Sequence, residues 1–164
     1  MTFWQTFLTS FKLPQKKATF SLNRVSMDIV VVYLFILLSI VSIPAFIEQI
    51  KNAHLMNVHV ELFFLIIYFF IFYYLPLIII VFGLISLVAY IGKVITKILQ
   101  RKLHYSILWK MTAFSLTIPF LLYTIIALLY PISDKLLWLG LVYALFMLIK
   151  IMTIYPKRRQ PTKH

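Results

Sequence analysis

The stretch "LFFLIIYFFIFYYLPLIIIVFGLISLVAYIG", residues 62–92, runs for 31 residues without a charge. As a helix it is about 46 Å long, whereas the hydrocarbon core of a bilayer is about 30 Å thick. Soluble helices do not need so long an apolar run, and its lack of alternation argues against a β-barrel strand. Some of the length has to be absorbed. Pro76 can kink the helix, and the end nearest Lys93 can leave the membrane. Pro76, Gly83 and Ser86 are small or kink-tolerant, and so mark the face expected to pack on other helices.

Three further runs follow from the gaps between charges: residues 27–47, 111–133 and 136–155. The last reaches the required length of about 20 residues only if Lys150 extends its ammonium to the headgroups. With 63% of the 164 residues hydrophobic and 12% charged, the chain reads as all-α. The expected architecture is a polytopic membrane protein, a single membrane domain over residues 1–164 with four transmembrane helices. The run at 27–47 resembles a signal peptide in its basic lead and in Ser42 and Ala45. Ile43 and Pro44 make a poor cleavage site, so an uncleaved first helix is expected. The chain has no cysteine, which excludes disulfides, thiolate metal sites and cysteine nucleophiles.

Charge sets the expected orientation. Four basic residues precede the first run, five lie between the second and third, and five end the chain. Only Lys51 and Lys135 fall in the other two connections. Such an asymmetry places both termini in the cytoplasm of a multi-pass plasma-membrane protein. The net charge of +12 does not point to nucleic acid, because the charges are juxtamembrane and no soluble domain presents them. Residues 93–110 read as a basic cytoplasmic extension of the second helix. There Lys93, Lys97, Arg101 and Lys102 are placed to meet anionic lipid, at about 1 kcal/mol per basic residue.

Residues 1–14 place Phe3, Trp4, Phe7, Leu8 and Phe11 on one helical face, the pattern of an amphipathic helix lying in the inner interface and ending near Pro14. In the connection of residues 48–61, His54 and His59 stand between Glu48 and Glu61. Their spacing of five fits no helical metal pair, so no metal is expected and no cofactor is implied.

The polar residues concentrate in "YSILWKMTAFSLTIPF", residues 105–120. On a helical wheel Thr112, Ser115, Pro119 and Tyr123 form a stripe that Ala127 and Tyr130 continue. Tyr90, Pro76 and Gly83 are expected across the bundle from it. Pro119 strips the Ser115 carbonyl of its donor, and nearby hydroxyls can repair that loss within lipid. Packing is the favoured reading of this candidate intramembrane polar face, ahead of a ligand or ion path. In the last helix, Gly140 and Ala144 form a small-xxx-small pair. No ionisable residue falls deep in any run, whereas proton relays and coupled transporters normally carry them. G-x-S-x-G and H-E-x-x-H are absent, and three glycines in the whole chain make no phosphate loop. An enzyme is therefore not expected.

Two stretches, "FWQTFLTSFKLPQKKATF" at residues 3–20 and "KILQRKLHYSILWKMTAFSLTIPFLLYTI" at residues 97–125, resemble a family of small membrane proteins of low-GC Gram-positive bacteria. That family is of unknown function, and one branch is labelled maltodextrin-utilisation protein. The likeness rests on a basic arm, Tyr105, Trp109, and a hydroxyl-rich helix with Thr112, Ser115, Leu116, Thr117 and Pro119. It implies a bacterial plasma membrane and a multi-helix bundle, and it supplies no catalytic residues. Members of the family are expected to carry a sizeable region between the first two spans, where this chain has only residues 48–61.

The sequence thus leads to the expectation of a non-enzymatic accessory or regulatory subunit, acting by helix-helix association with another membrane protein or with itself. The alternatives are a small oligomeric transporter or channel-like protein, lined by Thr112, Ser115, Tyr123 and Tyr90, and an anionic-lipid-binding protein.

Overall fold

The run that opens at Leu62 continues as helix to Ile98. In a computed structural model describing residues 3–55, 61–101, 103–130 and 136–156, every regular element among the described residues is helical. In order these are α1 (Phe3–Ser10), α2 (Lys16–Asn23), α3 (Met27–Leu55), α4 (Leu62–Phe69), a π-helical turn (Phe70–Tyr74), α5 (Leu75–Ile98), α6 (Tyr105–Ser115), α7 (Thr117–Leu129) and α8 (Leu136–Ile154).

Three stretches are long and apolar enough to cross a membrane: Met27–Ala53, Leu62–Ile98 and Tyr105–Leu129. The apolar part of α8, Trp138–Ile154, is shorter. On α8 the Lys150 ammonium lies 4.8 Å from the Phe146 ring centroid, one turn back along the helix and not out towards its C-terminal end.

Pro76 explains the irregularity between α4 and α5. It offers no N–H to the carbonyl of Phe72, and its ring crowds that carbonyl. The chain answers with a wider π turn over the preceding residues 70–74.

The basic segment 93–110 is not one continuous arm. Helix α5 carries Lys93 and Lys97 and then stops. The Gln100 N–H donates to Lys97 O at 3.2 Å and the Arg101 N–H to Thr96 O at 2.9 Å. With Gln100 at φ 52°, this is a Schellman ending, which satisfies carbonyls that the helix end would otherwise orphan. Glycine is the usual occupant of that position, so the sequence alone points to no stop there. The chain then turns back, and α6 begins at Tyr105, six residues ahead of the expected boundary at Met111.

Helix α6 is central. Its lower end packs on α2, and its flanks meet α3, α5 and α8. Residues 111–117 are buried without interruption, so no side of the chain faces outward here. Tyr33, Leu34 and Leu38 of α3, Ile85 of α5 and Ile151 of α8 complete this core.

Helix α1 departs from the single apolar face expected of it. Thr6 and Ser10 are buried, and Phe3 and Phe7 pack on the Tyr33 ring, at centroid separations of 5.6 and 6.5 Å. Trp4, Leu8 and Phe11 point outward. In an apolar surrounding this arrangement gives the hydroxyls to the protein and the greasy side chains to the solvent that suits them. The Ser10 hydroxyl donates to Thr6 O at 2.8 Å.

Candidate functional site

Pro119 decides the local structure at the centre of the molecule. It cannot donate to the Ser115 carbonyl, and the helix breaks just there: α6 ends at Ser115, Leu116 forms the joint, and α7 starts at Thr117. The hydroxyls around the joint are engaged nearby. Thr112 donates to Leu108 O at 2.9 Å, Ser115 to Met111 O at 2.8 Å and Thr117 to Phe114 O at 2.8 Å. The repair expected at the Ser115 carbonyl is therefore not made by Thr112 or Ser115, which turn back one helical turn instead. Because the Thr117 proton is committed to Phe114, the Tyr33 phenol donates to Thr117 Oγ1, at 2.6 Å. The Ser10 hydroxyl of α1 also lies beside the Tyr33 phenol.

Lys110 stands on the same helix, two residues before Thr112. Its ammonium donates to Asn23 O at 3.1 Å and to Val25 O at 2.8 Å, carbonyls at the end of α2. A charge that counts among the basic flank in the sequence serves here as a helix cap. Its spacing from α2 leaves no sequence signal, because the pair is more than eighty residues apart.

On the other side of α6, Trp109 Nε1 donates to Ser86 Oγ at 3.1 Å, and the Tyr105 hydroxyl reaches Ser86 O at 3.3 Å. Ser86 is thus a true contact between α5 and α6. Gly140 lies against Pro119: a Cβ there would stand 3.3 Å from Pro119 Cβ, so the glycine lets α8 close on the joint. Ala144, one turn on, is fully buried.

Gly83 does not pack. It lies on the exposed side of α5, and an added Cβ would meet nothing within 4 Å. The close approach belongs to Gly92, where a Cβ would come within 2.7 Å of Leu148 Cδ2 and 2.9 Å of Met152 Cε. Nothing in the run of apolar residues distinguishes the two glycines, since the difference arises from which side of α5 meets α8.

The expected polar face is only partly assembled. Thr112 and Ser115 are 0% and 2% exposed, Tyr123 is buried, and Pro119 is half-buried against α8. Tyr90 is 65% exposed on the outer side of α5 and does not join them. Phase explains this, because Val88 and Ala89 are the buried residues of that turn. The break at Leu116 also separates Thr112 and Ser115 from Tyr123. Thr112 and Ser115 are buried, with their hydroxyls bonded to carbonyls of their own helix. Lys93 and Lys97 are exposed, whereas Arg101 is half-buried with its Nε shielded and unpartnered. Lys102 lies outside the described residues, as do His59 and the side chain of His54.

Tyr123 instead lines a basin of about 540 Å³ between the far end of α3, the π turn and α7. Glu48, Lys51 and Asn52 of α3 edge it, and Tyr73 and Phe69 form part of its wall. Several polar side chains of different type thus border one sizeable cavity.

No curated protein and no solved structure matches the chain. A family model matches residues 48–155, taking in the stretch around Tyr105 to Pro119 and leaving α1, α2 and most of α3 outside. On that match the chain belongs to the DUF1189 family, a protein family of unknown function.

Proposed function

We propose that the protein is a non-enzymatic accessory or regulatory subunit of a bacterial plasma membrane, acting by helix-helix association with another membrane protein. The observation that carries this reading is the uncovered face of α4 and the π turn. Phe63 and Phe72 are each 66% exposed, and Phe64, Tyr68 and Phe70 lie open beside them. Only Leu65 and Phe69 of α4 are buried, the latter against Phe46 at a ring separation of 4.9 Å. Five aromatic rings on one little-packed helix offer large, rigid contact surfaces to a neighbouring helix.

In this reading α8 is the fourth span. Its 19 residues make about 28 Å, close to the hydrocarbon thickness. Both termini are cytoplasmic, by the excess of Lys and Arg at the ends of the chain and between the second and third spans. Exposed Lys93 and Lys97 contact anionic lipid. A transporter or channel is the weaker reading, because the hydroxyls of Thr112 and Ser115 are sealed and already bonded.

A photo-crosslinking residue placed at Phe64 or Phe72 in native membranes tests the proposal. A discrete protein adduct, lost when the reporter moves to buried Leu34, is the expected result. Adducts with lipid alone at both positions would overturn it.

A further inference from the structure

The basin described above has a chemistry of its own. Glu48 is 21 residues beyond Met27, about 32 Å along α3, so on the proposed topology, with Met27 at the inner face, the polar rim sits where the hydrocarbon ends and headgroups begin. One carboxylate and one ammonium, Glu48 and Lys51, edge the same cavity from neighbouring turns of one helix. Asn52 adds an amide beside them, while Tyr73 and Tyr123 offer phenol rings and Phe69 an apolar wall. The volume of about 540 Å³ falls within the range of small-molecule sites.

We infer that this basin binds a zwitterion carrying a primary ammonium and an anionic oxygen group a few atoms apart. Glu48 takes the ammonium, with the amide oxygen of Asn52 as a further acceptor and the tyrosine rings as cation-π partners. Lys51 takes the anionic oxygens. A purely anionic ligand meets the Glu48 charge, and a quaternary ammonium has no N–H to give to Asn52. The chemistry is shared by an aminophospholipid headgroup and by free phosphoethanolamine. The Phe69 wall below a polar rim suits the first, whose acyl chains continue into the bilayer.

Native mass spectrometry of the detergent-purified protein tests this with phosphatidylethanolamine, phosphatidylcholine and phosphatidylglycerol supplied in equal amounts. Phosphatidylethanolamine is expected to be retained over the other two. Glu48→Gln and Lys51→Met, both at exposed positions, should each weaken that retention about tenfold, the loss of one charge-assisted contact. Thr153→Ala, at the other end of the bundle, should not. Displacement by free phosphoethanolamine would identify a soluble zwitterion as an occupant, and retention against it would identify the lipid; both support the site. Equal retention of all three lipids, or an unchanged preference in both charge variants, would overturn it.

Discussion

Tyr33 on α3 donates its phenolic proton to Thr117 on α7 across 2.6 Å, at the residue that restarts the helix after the Leu116 joint. The bond ties the first long helix to the one place where the third is broken. Thr117 accepts from Tyr33 while donating to Phe114 O, so its removal affects two partners. Thr117→Val should lower stability by about 1–2 kcal/mol, because it removes two hydrogen bonds at once. Tyr33→Phe removes only the donor and should cost about 0.6–1 kcal/mol. Thermal unfolding in detergent of both single variants and the double variant gives the coupling; additive losses would show the bond contributes nothing of its own.

The Lys110 cap makes a second prediction. Lys110→Met should leave two carbonyls at the end of α2 without their charged donor and free the N-terminal hairpin by about 1.5–3 kcal/mol. Limited trypsin digestion reports it, since Lys12, Lys16 and Lys17 are exposed sites in that hairpin. Cleavage there should accelerate in the variant and return towards the wild-type rate with Lys110→Arg.

The two glycines of α5 should separate cleanly. Gly92→Leu drives a side chain into Leu148 and Met152 and should cost about 1–3 kcal/mol. Gly83→Leu projects into open space and should be neutral or slightly stabilising, glycine being about 1 kcal/mol poorer than alanine within a helix. Melting temperatures measured in one detergent decide the matter; equal effects would contradict the packing.

The absence of cysteine gives a direct topology test. Single cysteines at Thr2 and His164 should resist an impermeant thiol reagent in intact cells, and one at Asn52 should react. Labelling of either terminus from outside would refute the four-span arrangement proposed for the chain.

Much of the helical layout is legible because hydrophobic run length is a strong signal, and Pro119 marks the carbonyl that loses its donor, although the helix expected to be repaired there instead breaks at Leu116. Ser86, Gly140 and Ala144 are recognisable because small residues stand out in apolar helices. Boundaries were harder to read. Nothing in "KILQRK" suggests that Gln100 takes the left-handed conformation that stops α5. Tyr90 and Gly83 needed the rotation of α5, which the packing of α8 at Gly92 sets, and uniformly apolar residues do not reveal it. The pairing of Lys110 with α2 was hidden for another reason. A lysine at a membrane edge already has a sufficient explanation as a topology signal, and sequence spacing does not disclose a partner so far away.

That separation bears on how the molecule is made. Asn23 and Val25 precede Lys110 by 87 and 85 residues, and Tyr33 precedes Thr117 by 84. A nascent chain leaving the ribosome therefore carries α1 and α2 without these polar ties until Lys110 and Thr117 have been made. Phe3 and Phe7 can meet Tyr33 as soon as α3 is made, whereas the polar latch closes only after the third long helix has arrived.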